Sequence, residues 1–86
     1  MSQVPTSLTT IPAIMAQPTF ALGVADVRAG RGFHADFDFW HGNDQWAYER
    51  GRLWAVLTPP HIQPKRDGNI TAEAISWFRR AGDLIL

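Results

Sequence analysis

The chain contains no cysteine, and this absence excludes a disulfide framework, a zinc ribbon and catalysis by a thiol. It also has no apolar run near the roughly 18 residues that a membrane span needs, so we expect no membrane segment. The first 16 residues contain no Lys or Arg, which argues against a secretory signal and predicts a cytoplasmic protein. The total of 86 residues leaves room for one small domain.

The chain also lacks a net charge, because eight basic side chains balance eight acidic ones. A general nucleic-acid binder carries a basic excess, so this balance weighs against one. Residues 1–49 hold two basic and five acidic side chains, for a net charge of −3, whereas residues 50–86 have a net charge of +3. This difference in charge between the two halves predicts either a charged surface for a partner or two halves that pack with complementary charges.

Helical patterns dominate, and they predict a mainly α domain of three or four helices. Residues 1–8 are predicted to be an extended arm, ahead of a single small domain over residues 9–86. Thr9 or Thr10 is a suitable cap for a short first helix, which should end before Pro18 because proline disfavours the α region in the residue before it.

The later helices have clearer faces. Phe20, Val24 and Val27 share one side of a second helix. A third helix is predicted over residues 45–57, where a row of small residues would let another helix approach closely; the row is Ala47, Gly51 and Ala55, and Trp54 and Leu57 should continue the buried side. Thr71 is the predicted N-cap of a last helix that ends near Gly82.

Residues 33–40 are ambiguous. Their aromatic side chains alternate with polar ones, a period of two that is typical of a strand, but aspartate is depleted in strands. We expect an irregular aromatic loop over residues 31–44, and a short β-hairpin over residues 33–54 is the alternative.

Aromatic and acidic residues cluster around this loop and predict a protein-binding patch, because Trp and Arg are enriched at binding hot spots. The predicted contact residues are Trp40, Trp46, Tyr48 and Arg52, with an acidic rim of Asp36, Asp38 and Asp44 that suits a basic partner. The competing interpretation is that these aromatic residues form the core.

Two further functions are alternatives. Ribosome or RNA association would use arginines close to tryptophans, namely Arg50, Arg52, Arg79 and Arg80, although the same spacing fits arginines that cover rings on their own helix. A structural subunit or homo-oligomer would use the row of small residues in the third helix or the apolar tail Leu84–Leu86.

The sequence offers little support for an enzyme. Five potential ligands lie close together (His34, Asp36, Asp38, His41 and Asp44), but their spacing matches no established metal site. No serine lies in a Gly-x-Ser-x-Gly setting, and no phosphate loop is present. We therefore expect no cofactor, no metal and no catalytic residue.

Two segments resemble ribosome modulation factor, a small bacterial family built from a pair of helices. Ala29-Gly30-Arg31 is similar to the end of the family's first helix, and residues 45–52, Gln-Trp-Ala-Tyr-Glu-Arg-Gly-Arg, are similar to its second helix. The similarity spans residues 20–55. It implies a small regulator, encoded by a bacterium or phage, that acts as an inhibitor or adaptor, with ribosome association as the family's own activity.

Overall fold

The chain forms four α-helices and one short hairpin, as a computed structural model describes for residues 10–82. The helices are α1 (Ile11–Ala16), α2 (Pro18–Arg28), α3 (Gly42–Leu57) and α4 (Ala72–Arg80), and the antiparallel strands are β1 (Lys65–Arg66) and β2 (Asn69–Ile70). The predicted mainly α fold is confirmed. The predicted arm and the apolar tail Leu84–Leu86 lie outside the described residues.

Local capping explains most helix boundaries. The Thr10 hydroxyl accepts a hydrogen bond from the Ala13 amide at 3.2 Å, and the Thr71 hydroxyl accepts one from the Ala74 amide at 3.0 Å. Pro18 opens α2 at the first helical position. The third helix begins three residues earlier than predicted, because the His41 ring caps it by accepting a hydrogen bond from the Asn43 amide.

Two glycines set the distance between α2 and α3. A Cβ atom on Gly51 would lie 2.1 Å from the Phe20 carbonyl oxygen, and one on Gly23 would lie 2.4 Å from the Tyr48 carbonyl oxygen. The helices therefore touch through their backbones. The predicted row of small residues lies in this contact and is buried, so this row is not available as a surface for oligomerisation.

The core gathers around three stacked and tilted aromatic rings. The Phe20 centroid lies 6.0 Å from the Trp54 ring and 6.1 Å from the Phe78 ring, and all three side chains are fully buried. The Trp54 indole N–H donates to the Ala74 carbonyl at 3.1 Å, which ties α3 to α4. Leu57 does not continue this buried side as predicted, because it is 38% exposed at the end of α3.

Arg28 joins the end of α2 to the segment that follows α3. Its guanidinium donates to the carbonyl oxygens of Pro59 and Ile62 at 3.1 and 2.5 Å, and to the Gln63 side chain at 3.3 Å. The same group lies 5.3 Å from the centroid of the Trp54 ring. Burial lowers the pKa of this guanidinium, yet its many acceptors hold it in place.

The hairpin occupies residues 65–70, between α3 and α4. Asp67 and Gly68 both have positive φ, the combination that a two-residue type I′ turn requires, and the strands on either side pair for two residues each. Across residues 10–82, no helix is long and apolar enough to cross a membrane.

Candidate protein-binding surface

Residues 33–40, which we call the aromatic loop, form turns rather than a strand. The Phe37, Phe39 and Trp40 amides donate to carbonyl oxygens three residues earlier, at 2.9–3.2 Å, and Phe37–Phe39 is a single turn of 3-10 helix. The His34 ring accepts a hydrogen bond from the Asp36 amide at 3.1 Å, so a local side chain competes with strand pairing.

The rings of the aromatic loop pack around one buried tyrosine of α3. The Tyr48 centroid lies 5.7 Å from Phe33, 5.6 Å from Phe37 and 5.2 Å from Trp40. All three contacts are edge-on or tilted, the geometry that aromatic pairs favour. The loop therefore has a small aromatic base of its own, separate from the ring cluster in the core.

The Tyr48 hydroxyl also anchors the loop through polar contacts. It accepts from the His34 amide at 2.9 Å and donates to Asp26, a carboxylate on α2 that is only 3% exposed, at 2.5 Å. Arg31 completes the pairing of Asp26, with Nε 2.8 Å from its second oxygen. The bond from Tyr48 lowers the pKa of Asp26, and Arg31 adds to this against the opposing effect of burial.

Arg52 secures the start of the loop. Its guanidinium donates to the Arg31 and Gly32 carbonyl oxygens, both at 3.2 Å, and lies 4.7 Å from the centroid of the Phe33 ring. The Gln45 side chain adds a hydrogen bond to the Phe37 carbonyl at 2.8 Å. Arg52, which was predicted to contact a partner, thus holds the loop in this structure.

The remaining predicted contact residues divide by exposure. Trp46 and Tyr48 are 1% and 0% exposed, so as folded they belong to the interior and not to the contact patch that was predicted. The other predicted residues are at least partly accessible: Trp40 and Asp44 are half-buried, and Asp36 and Asp38 are exposed. The predicted acidic rim is therefore accessible, whereas two of its predicted aromatic partners lie beneath it.

Two exposed aromatic side chains were missed by the sequence analysis. Phe39 is 86% exposed and Phe33 is 57% exposed, although neither was among the predicted contact residues. The period of two belongs to the strand alternative. In the turns that form instead, the alternation does not place these rings on one side.

An apolar groove runs beside the loop along the outer face of α3. Its volume is about 310 Å³, and it is lined by Val27, Phe33, Glu49, Arg52, Leu53 and Val56. Val56 is 68% exposed, and its neighbours Leu53 and Leu57 are also exposed. Phe33 belongs to both features, so the loop and the groove form one continuous surface.

The arginines of the RNA-binding alternative are largely engaged with rings. Arg50 lies 4.4 Å from the Trp46 centroid and Arg80 lies 4.7 Å from the Trp77 centroid, each within its own helix. Arg52 is held by the loop carbonyl oxygens described above. Arg79 and Arg80 are exposed in the last turn of α4.

The metal ligands considered above do not converge: within residues 10–82, no three His, Asp or Glu side chains are placed to hold an ion. Both His34 and His41 use Nδ1 to accept a backbone hydrogen bond. Comparison of the chain with protein-family models, curated proteins and solved structures gave no match.

Proposed function

We propose that this chain is a non-enzymatic protein that acts by stoichiometric contact with another protein, through the aromatic loop. The observation that supports this most strongly is Phe39, which extends a large apolar ring into solvent with 86% of its surface exposed. Large aromatic side chains dominate the energetics of interfaces because each buries much area on contact. A ring this exposed contributes little to the folded chain by itself.

The rigidity of the loop supports the same function. Hydrogen bonds from Arg52, Gln45 and the His34 amide, together with the aromatic packing on Tyr48, hold the loop in one shape before any partner arrives. A surface that is already ordered loses less conformational entropy on binding. The chain therefore presents Phe39 on a preformed support, as expected of an inhibitor or adaptor.

Quantitative affinity capture from the organism that encodes the chain tests this proposal. We expect wild type and Arg66→Ala, a control on the distant hairpin, to recover the same protein in a one-to-one ratio. Phe39→Ala should reduce the affinity for the purified partner by about 30-fold, the size of a hot-spot residue.

Equal affinity of Phe39→Ala and wild type for the partner, with both chains folded, would refute the role of the loop. Recovery of RNA in place of protein, lost steeply as salt rises, would instead favour the arginine-based alternative.

A further inference from the structure

We infer that the groove on α3 receives one face of a basic amphipathic helix of the protein partner, an inference that rests on the proposed function. Leu53, Val56 and Leu57 are three and four residues apart, so they form an apolar stripe along α3. These side chains are 40%, 68% and 38% exposed, because α3 packs on α2 through its opposite, small-residue side. A partner helix would anchor in such a groove through apolar side chains at matching spacings.

The charge beside the groove selects a basic partner. Residues 33–49 contain four acidic side chains and no Lys or Arg. Asp36 and Asp38 are exposed and form no ion pair with any of residues 10–82. Arg31 pairs with Asp26 and Arg50 pairs with Glu49, whereas Arg52 donates to loop carbonyl oxygens and keeps its positive charge. Asp36 and Asp38 are therefore the carboxylates offered to a partner. Lysine or arginine at the edge of an incoming helix would meet these carboxylates.

The same charges disfavour a second copy of the chain in the groove. A two-fold symmetric contact brings the same patch of each chain into one interface, so it would bring Asp36 and Asp38 of both copies together. An extended peptide is also disfavoured here. In the part of the chain that the structure describes, the only strands are the two-residue β1 and β2, which are not among the groove's lining residues, so no sheet edge borders the groove.

Two synthetic 18-residue helical peptides test the inference with the full chain. Both carry leucine at the same positions along one face, and their polar face is lysine in one and glutamate in the other. Calorimetric titration should show the lysine peptide binding at least tenfold more tightly than the glutamate peptide. Val56→Ser should weaken binding of the lysine peptide about fivefold, and Asp36→Asn with Asp38→Asn should weaken it and reduce its dependence on salt.

Equal binding of the two peptides, no binding of the lysine peptide, or full binding by Val56→Ser would overturn the inference. Dimerisation of wild type that Val56→Ser abolishes in sedimentation would overturn it too, because the groove would then hold a second copy. Arg66→Ala is the control and should behave as wild type in every assay.

The captured partner separates this inference from the proposed function. If Phe39→Ala loses the partner and Val56→Ser retains it fully, the loop is the contact and the groove inference is wrong. If Phe39→Ala retains the partner fully, the proposed contact through the loop fails, whatever Val56→Ser does. If both variants lose the partner and wild type binds the lysine peptide, the results support the proposed function and the groove inference together.

Discussion

The molecule contains two aromatic clusters, an inner cluster that is fully buried between helices and an outer cluster in the aromatic loop at the surface. Phe20, Trp54 and Phe78 are sealed between helices. Phe33, Phe37 and Trp40 pack around the buried ring of Tyr48 near the surface, and Phe39 of the same loop is 86% exposed. The first cluster is held by close packing of α2, α3 and α4, and the second by hydrogen bonds to an aromatic loop. Aromatic content alone therefore does not distinguish a core from a contact surface. What distinguishes them is whether a regular helical face directs the rings inward.

The largest expected difference in stability is between two variants that each remove one aromatic ring, one from the inner cluster and one from the aromatic loop. Phe78→Ala leaves a cavity among fully buried side chains and should lower the free energy of unfolding by about 3–5 kcal/mol. Phe39→Ala removes a ring that is mostly in water and should change it by less than about 0.5 kcal/mol. Urea denaturation of both variants measures the difference. Similar losses in the two variants would mean that Phe39 belongs to the packed fold.

A second test concerns the close contact that seals the inner cluster. Gly51→Ala places a methyl group against the Phe20 carbonyl, which is backbone and cannot rotate away, so the variant should lose about 3 kcal/mol. This loss should appear although alanine is the better helix former by about 1 kcal/mol. Gly42→Ala, where no atom lies within 4 Å, is the matched control and should be neutral or slightly stabilising. Thermal unfolding monitored by circular dichroism measures both variants, and equal melting temperatures would contradict the backbone contact.

A smaller loss of stability should follow from removing the hydrogen bonds of the Tyr48 hydroxyl, which hold the outer cluster. Tyr48→Phe removes a donor to buried Asp26 and an acceptor for the His34 amide, so it should cost about 1–3 kcal/mol at pH 7. Asp26 has a lowered pKa in the folded chain, so its contribution is present above about pH 4 and is lost as the pH falls through the folded value.

The pH dependence of the free energy of unfolding shows whether the cost of Tyr48→Phe comes from its hydrogen bond to Asp26. Wild type should lose more stability than Tyr48→Phe between pH 7 and pH 3 in urea denaturation, because the variant has less of this contribution to lose. Asp38→Asn, at an exposed carboxylate without an ion pair among residues 10–82, should match wild type at both pH values. Identical pH dependence of wild type and Tyr48→Phe would show that Asp26 is not stabilised by the tyrosine.

The inner cluster was largely predictable from the sequence. Capping by Thr10 and Thr71, the break at Pro18 and the small residues around Gly51 are local signals, and each predicted its element correctly. The His41 cap was missed because histidine is not among the preferred cap residues. The hairpin at residues 65–70 was missed although its Asp-Gly pair is a hairpin signal, since its strands are only two residues long.

The outer surface was predictable only in part. Its location and acidic rim follow from local composition, and a loop was expected there, but the exposure of Phe39 depends on particular turns that no local pattern specified. The pairing of Asp26 with Tyr48 joins residues 22 positions apart, and no local pattern announces it. The groove was missed for a related reason: Leu57 was predicted to face the core, but it is 38% exposed on the same helix as the exposed Leu53 and Val56.

The hydrogen bonds of Arg28 act as a cross-link in a chain that has no cysteine for a disulfide. The Arg28 guanidinium bridges the end of α2 to Pro59 and Ile62, more than 30 positions along the chain, at a point where a secreted domain could use a disulfide. This bridge is a reversible cross-link that needs no oxidant and is indifferent to a reducing environment. The loop that it closes contains the whole of α3, so one side chain fixes both the end of α2 and the segment that follows α3.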